Sequence, residues 1–402
     1  MRILQVIHSI DADDGGTIEG VKQYCNIFRA AGHEADVASM DSPEYVRNCA
    51  FPAKVFGLGP GRGIYGYAPR AIPWLRENRS SYDLVIVVGI WQYCTLAVYR
   101  ALAGSGTSYA VFVQGMLDPY FKRRYPLKHL KKAIYWRFIL QRTLRDANAV
   151  FFTCEEEKLL ARQSFSGYRA HEVVVPLGTR GPECDTAAAA EEFLARFPHL
   201  RGKRLALCLG RIHPKKAIDI LIESFAQTFA THPEWHLVIA GPDQIGWQNN
   251  LETIAVKLGV ADRIAWTGML KDALKWGAFA TSEIFVLPSH QENFGIVVAE
   301  ALACGLPAII SDKVNIWREI ESYQAGFVGD DTVAGTTASL RRWLALGEQE
   351  IADVRRRGRK CFDEQFNMDV TGKRLMEIVE SLARSNPRTA PSSPAALPAE
   401  EN

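Results

Sequence analysis

The chain has 402 residues, 48% of them hydrophobic and 23% charged, with a formal net charge of +2. That length exceeds one ordinary core, so two domains are expected, and the composition is that of a globular protein not basic enough overall to suggest a nucleic-acid partner. No apolar run reaches the roughly 20 residues that cross a bilayer, and the eight cysteines form neither a C-x-x-C nor a zinc pattern with histidine, so a cytoplasmic protein with buried thiols is expected.

Residues 1–8, MRILQVIH, read as an opening strand and not as a secretory signal. DDGG at 13–16 closes that strand. Gly15 and Gly16 allow close backbone approach to a phosphate, and a plain turn explains them equally well. A helix from about residue 18 follows, then short apolar runs at 33–38, 55–58, 84–88, 109–113, 149–152 and 172–175, with amphipathic stretches between them. This alternation describes a parallel sheet covered on both faces. Gly61, Gly63 and Gly66 fit G-x-G-x-x-G, yet Pro69 follows closely and no acidic ribose ligand stands at the usual distance, so a loop is expected there. Residues 119–142, PYFKRRYPLKHLKKAIYWRFILQR, combine many Lys and Arg with aromatic residues and contain no acid. An anionic membrane surface would accept such a stretch, and so would a solvated helix that packs its aromatic side on a sheet.

Residues 179–203 include a polar, Ala-rich run without β pattern and are expected to be a linker. LALCLG at 205–210 then starts a second series. Ile218, Leu221, Ile222, Phe225 and Phe229 recur at the spacing of a core-facing helix stripe, and strands are expected at 236–240, 263–266, 284–287 and 308–310. His232 and His236 are separated by Pro233, which argues against a shared metal on one helical face. The sequence thus describes two doubly wound domains in tandem, whose ligands bind beyond the carboxyl ends of the strands. Residues 385–402, rich in Pro, Ser and Ala, read as a disordered tail.

Two segments of the second series carry chemistry. QENFGIVVAE at 291–300 follows an apolar strand and opens a helix, a junction whose backbone N–H groups and dipole favour an anion such as phosphate. Glu292 and Glu300 would repel that phosphate, so they are expected to face ligand hydroxyls. A nucleotide sugar supplies both features. GRIHPKKAID at 210–219 also joins a strand to a helix, and Arg211 and Lys216 within it suit a pyrophosphate, the first by forked hydrogen bonds and the second as a point charge.

Together GRIHPKKAID, GPDQIGW, FVLPSHQENFGIVVAEALACGLP and KVNIWREI resemble the retaining glycosyltransferase family 4 of the GT-B fold. The most specific element is E-x(7)-E at Glu292 and Glu300. The resemblance implies an α/β chain of two Rossmann-like, doubly wound domains facing a central cleft, with an acceptor-side domain at 1–178, a linker at 179–203 and a nucleotide-sugar domain at 204–365. Residues 366–384 would form a C-terminal helix returning to the first domain. It further implies that Glu292 holds a hydroxyl of the donor sugar, Glu300 the ribose hydroxyls, and Arg211 and Lys216 the leaving pyrophosphate. Gly15, Gly16, Asn293, Phe294 and Gly295 would complete the donor site. VFVQGMLDPY at 111–120 looks like the family's acceptor-side H-G-M-L-x-P-W segment, with Gln114 where histidine is usual; Gln114 can hydrogen-bond but cannot shuttle a proton. Trp91 and Asp118 are further acceptor-side candidates. Ala217 replaces the glycine usual after the lysine, a change that a helix tolerates.

The activity so implied is metal-independent transfer of a hexose, mannosyl or related, from a UDP- or GDP-sugar to a glycan or lipid-linked acceptor in surface or exopolysaccharide synthesis. No cofactor is expected, and residues 119–142 would meet the inner face of the membrane. The absent histidine motivates an alternative, a non-catalytic nucleotide-sugar-binding or scaffold subunit of a polysaccharide assembly complex. A dinucleotide-dependent oxidoreductase or epimerase would fit the sheet type but lacks its fingerprint.

Overall fold

Runs such as LVIVV and IFVL have no polar alternation because both faces of the strands they form are covered: every residue of Leu84–Val88 and Ile284–Leu287 is buried. The computed structural model describes residues 1–11 and 16–384; the expected tail at 385–402 lies outside them, as does Gly15. In chain order the strands are β1 (Arg2–Ile7), β2 (Glu34–Ser39), β3 (Lys54–Gly57), β4 (Leu84–Val88), β5 (Ser108–Phe112), β6 (Ala149–Phe152), β7 (Glu172–Val174), β8 (Arg204–Leu209), β9 (Trp235–Ala240), β10 (Ile264–Gly268), β11 (Ile284–Leu287), β12 (Ala308–Ser311) and β13 (Gly326–Gly329). Among the described residues the first seven form one sheet in the order β3-β2-β1-β4-β5-β6-β7, and the last six a second in the order β10-β9-β8-β11-β12-β13. All neighbours are parallel. In each sheet the chain reverses its direction of winding at the first strand, between β1 and β4 and between β8 and β11. Loops leaving the carboxyl ends there splay apart and leave room for a ligand.

The chain divides into two compact units. Among the described residues, one comprises Met1–Phe152, Leu160–Val175 and residues 374–384; the other comprises Thr153–Leu159 and Pro176–Lys373. The later part of the helix Met368–Arg384 therefore belongs with the first unit, where Glu380 lies 3.7 Å from His33. Val6, Val85, Val87, Tyr109, Val111 and Trp136 are central to the first core, and Leu207, Ile222, Phe225, Val238 and Phe285 to the second. Five of the cysteines are buried, and burial pushes the Cys25 and Cys208 thiols up to about 12. Cys184 is exposed. No helix among the described residues is long and apolar enough to cross a membrane.

Within residues 179–203, the expected linker, a helix forms. Asp185 caps the helix Thr186–Arg196 by accepting the N–H groups of Ala187 and Ala188 at 2.9 and 3.2 Å. Ala189 and Phe193 are buried, Phe193 within the second core. The helix packs so closely on Asp272–Thr281 that a Cβ at Gly277 would stand 2.1 Å from the Ala189 carbonyl oxygen. Small residues make this contact, so the helix buries itself without the large apolar stripe that marks a core helix in sequence. Phe193→Ala is expected to destabilise the protein by about 3–5 kcal/mol in denaturant unfolding; a linker residue would change stability by less than about 0.5 kcal/mol.

Candidate functional site

The site is built at the carboxyl ends of β8, β9 and β11. After β8 the backbone turns at Gly210 and runs through the single 3-10 turn Pro214–Lys216 into the helix Ile218–Thr228. Gly241, at the end of β9, passes so near that a Cβ there would lie 1.8 Å from the Gly210 carbonyl oxygen, and at a φ of 151° only glycine fits comfortably. His213 Nδ1 accepts the Lys215 N–H at 3.1 Å. Burial first, then the charges of Lys215, Arg211 and Lys216, hold that imidazole below its usual value, which favours the neutral ring that can accept. Ala217, expected within a helix from the sequence, instead stands before one, left-handed, at φ 51° and ψ 43°. That conformation costs an alanine roughly 1–2 kcal/mol, and it swings Lys216 back along Gly210, whose added Cβ would meet Lys216 Cε at 3.4 Å.

The 291–295 loop after β11 is fastened on several sides. The Glu292 N–H donates to the Lys313 carbonyl at 3.0 Å, and the Glu292 carbonyl accepts from the Asn315 N–H at 3.1 Å. Asn293 Nδ2 donates to Thr153 Oγ1 at 3.2 Å, Lys215 Nζ to Gln291 Oε1 at 3.2 Å, and the His290 N–H to the Lys215 carbonyl at 2.8 Å. His290 Nδ1 lies 2.7 Å from Asp331 Oδ2. Phe294 turns its ring into the core, edge-on to Phe366 at 5.6 Å, so only its backbone is available to a ligand. Gly295 is left-handed at φ 76° directly before the helix Ile296–Ala303, and a Cβ there would crowd Val314 and Glu292 at 3.1 and 3.2 Å. The first N–H groups of that helix lack intrahelical partners and carry the positive end of its dipole.

The two loops meet through Lys216 and Glu292, whose ammonium and carboxylate form an ion pair. Both side chains are largely removed from water. Glu300, one helix face further, is buried and ion-paired with Lys275 at 2.9 Å. Arg211 is exposed, with a long contact to Gln244 at 3.5 Å. Lys216, Glu292, Asn293, Phe294 and Gly295 are thus brought together in the second unit. Chemically, the arrangement offers an ammonium, an exposed guanidinium and a helix N-terminus to an anion, with two carboxylates able to accept from hydroxyls.

The remaining candidates lie in the first unit. Gly16 opens the helix Gly16–Ala30, and Gly15 is outside the described residues. Gln114 adopts a left-handed φ of 52°, with its amide nitrogen near Gly20. Trp91 Nε1 donates to the Met116 carbonyl at 3.2 Å, and Asp118 Oδ1 accepts from the Tyr120 N–H at 2.7 Å, so these two side chains shape the 114–118 loop. Lys275, Lys215, His290 and Thr153 were not legible as site residues. Each reaches its partner across at least 25 positions of sequence, with no local motif to announce it.

The first half, residues 15–178, matches the family described as "Glycosyl transferase 4-like domain", and residues 190–360 match "Glycosyl transferases group 1". A D-inositol 3-phosphate glycosyltransferase of Gordonia bronchialis is 28% identical over 63% of this chain and 57% of its own. The lipopolysaccharide core biosynthesis mannosyltransferase LpsB of Rhizobium meliloti is 28% identical over 45% of this chain and 53% of its own. The chain spans about half the length of the curated relatives it matches. Among solved structures, a glycosyltransferase from Rickettsia africae superposes with a TM-score of 0.76 at 14% identity, covering 96% of this chain and 99% of that one. HepE of Anabaena, solved with UDP and glucose, gives 0.71 at 17% identity over 95% and 100%. The likeness to these structures is one of fold, the two-domain GT-B fold.

Replacing Ala217 by glycine relieves the left-handed strain and is expected to raise stability by about 0.5–1 kcal/mol after the entropy gained by the unfolded chain. Glycine inside a helix would instead lower it by about as much, so the sign of the change in thermal unfolding decides between the two placements.

Proposed function

Because the chain belongs to the group 1 glycosyltransferases with a family 4-like first domain, we propose that it is a retaining, metal-independent transferase. It moves a hexose, mannosyl or related, from a UDP- or GDP-sugar to a glycan or lipid-linked oligosaccharide at the inner face of the cell membrane, in polysaccharide assembly. The observation that carries this reading is the Lys216–Glu292 ion pair at a helix N-terminus, on strand ends that leave room for a ligand. An incoming diphosphate competes with Glu292 for Lys216. Once displaced, the carboxylate is free to accept from a hydroxyl of the donor sugar, while Lys216 and Arg211 take the charge that grows on the departing phosphate. The anomeric carbon–oxygen bond to the diphosphate breaks through an oxocarbenium-like state. The acceptor oxygen attacks from the same face, and a leaving-phosphate oxygen takes its proton. Glu300, turned from Lys275, accepts from the ribose hydroxyls.

The names of the relatives support a mannosyl donor on one side and a UDP-sugar on the other. Incubating the full chain with UDP-glucose and GDP-mannose is expected to release nucleoside diphosphate from one of them. Glu292→Ala should lower that release by about 100-fold or more with the fold retained in circular dichroism, the melting temperature falling because Lys216 is left without its partner. Unaltered release in this variant, or donor binding without any release by the wild type, would overturn the assignment.

A further inference from the structure

The helix Pro126–Tyr135 and the π-helical turn Trp136–Leu140 that continues it have two sides of opposite character. On the inner side His129 and Trp136 both stack on Phe165, with centroids at 4.4 and 4.8 Å. Trp136 Nε1 donates to the Ser166 carbonyl at 3.0 Å, and the Tyr135 and Tyr65 hydroxyls are 2.8 Å apart. On the outer side Leu127, Leu130, Ile134 and Phe138 are 80, 63, 60 and 68% exposed. Steps of three and four residues set these four along one face. A single exposed leucine is ordinary; a row of four large apolar side chains on a firmly seated helix is surface that awaits a partner.

Charge identifies the partner. Lys122, Arg123, Arg124, Lys128, Lys131 and Arg137 are exposed around this row, and residues 119–142 contain no acid. A second copy docking through the same face would set like charges against one another. We propose that this face seats the protein on an anionic phospholipid leaflet, with Leu127, Leu130, Ile134 and Phe138 entering the boundary between headgroups and acyl chains and the surrounding cations meeting lipid phosphates. The expected depth is roughly 5–10 Å. The inner edge of the same helix supports the acceptor-side loop: Lys132 Nζ lies 4.3 Å from the Trp91 ring centroid, and Trp91 holds the Met116 carbonyl. A glycan carried on a lipid is therefore delivered beside residues 114–118, a consequence that rests on the function proposed above.

Flotation of the full chain with vesicles of phosphatidylcholine, with or without phosphatidylglycerol, tests the proposal. Binding is expected on the anionic vesicles only, to weaken severalfold in high salt or with Lys128→Glu/Lys131→Glu, and to weaken about tenfold or more with Ile134→Asp/Phe138→Asp. Melting temperature and nucleoside diphosphate affinity should stay at wild-type values in both variants, which separates lost docking from misfolding and from failure of the donor-site reading. Three results overturn the proposal: no binding by the wild type, binding indifferent to both variants, or a dimer in light scattering that Ile134→Asp/Phe138→Asp turns into monomer. Vesicle binding by a wild-type protein that ignores nucleotides would leave this proposal standing and remove the donor assignment instead.

Discussion

Lys216 and Glu292 are 76 residues apart in sequence and in contact in space. Most of the second unit's local architecture serves that contact. Gly241 lets β9 pass close enough to β8 for the Gly210 turn to form, Ala217 accepts a strained conformation that sends Lys216 backward, and Gly295 bends the chain so that Glu292 faces it. Two opposite charges largely removed from water stabilise little by themselves, since desolvation offsets much of their attraction. Losing either partner is costly, because the survivor stays buried without compensation. Under the proposed function the pair is less a brace than an arrangement that an anionic ligand takes over.

The surrounding hydrogen bonds hold the loop on both sides of Glu292. Glu292 is held through its own backbone to Lys313 and Asn315, and its neighbours Gln291 and Asn293 through Lys215 and Thr153. With the backbone fixed on both sides, the Glu292 side chain is what remains to exchange its ammonium partner for a hydroxyl. Glu300 is likewise ion-paired, with Lys275, and under the proposed function it would exchange that partner for the ribose hydroxyls. Preorganised charges of this kind act without reorganisation at the moment of bond breaking.

The strands were largely legible because parallel strands buried on both faces read as plain apolar runs, and β4, β6 and β11 have the bounds that their sequences suggest. The QENFG junction was legible for the same reason, a strand followed by a glycine and a helix. What stayed hidden depends on distant partners. The helix Thr186–Arg196 packs through alanines and one phenylalanine against a glycine far along the chain. β13 is the short run GFVG, too brief and glycine-rich to declare itself, and becomes a strand because β12 offers it an edge. Lys275 has no motif around it. Ala217 was placed within a helix because its neighbours form one, whereas the preceding turn decides its conformation. The charge and aromatic content of 119–142 was visible in sequence, but only the folded chain shows which residues face inward.

The central claim, that Glu292 occupies Lys216 until a diphosphate replaces it, is tested most directly by calorimetric titration of UDP and GDP into the wild type, Glu292→Gln and Lys216→Met. The account predicts that one nucleotide binds, that Lys216→Met loses about tenfold or more of its affinity, and that Glu292→Gln binds it as tightly as the wild type or more so, since its competitor has been neutralised. Weaker binding by Glu292→Gln, together with unchanged binding by Lys216→Met, would contradict it.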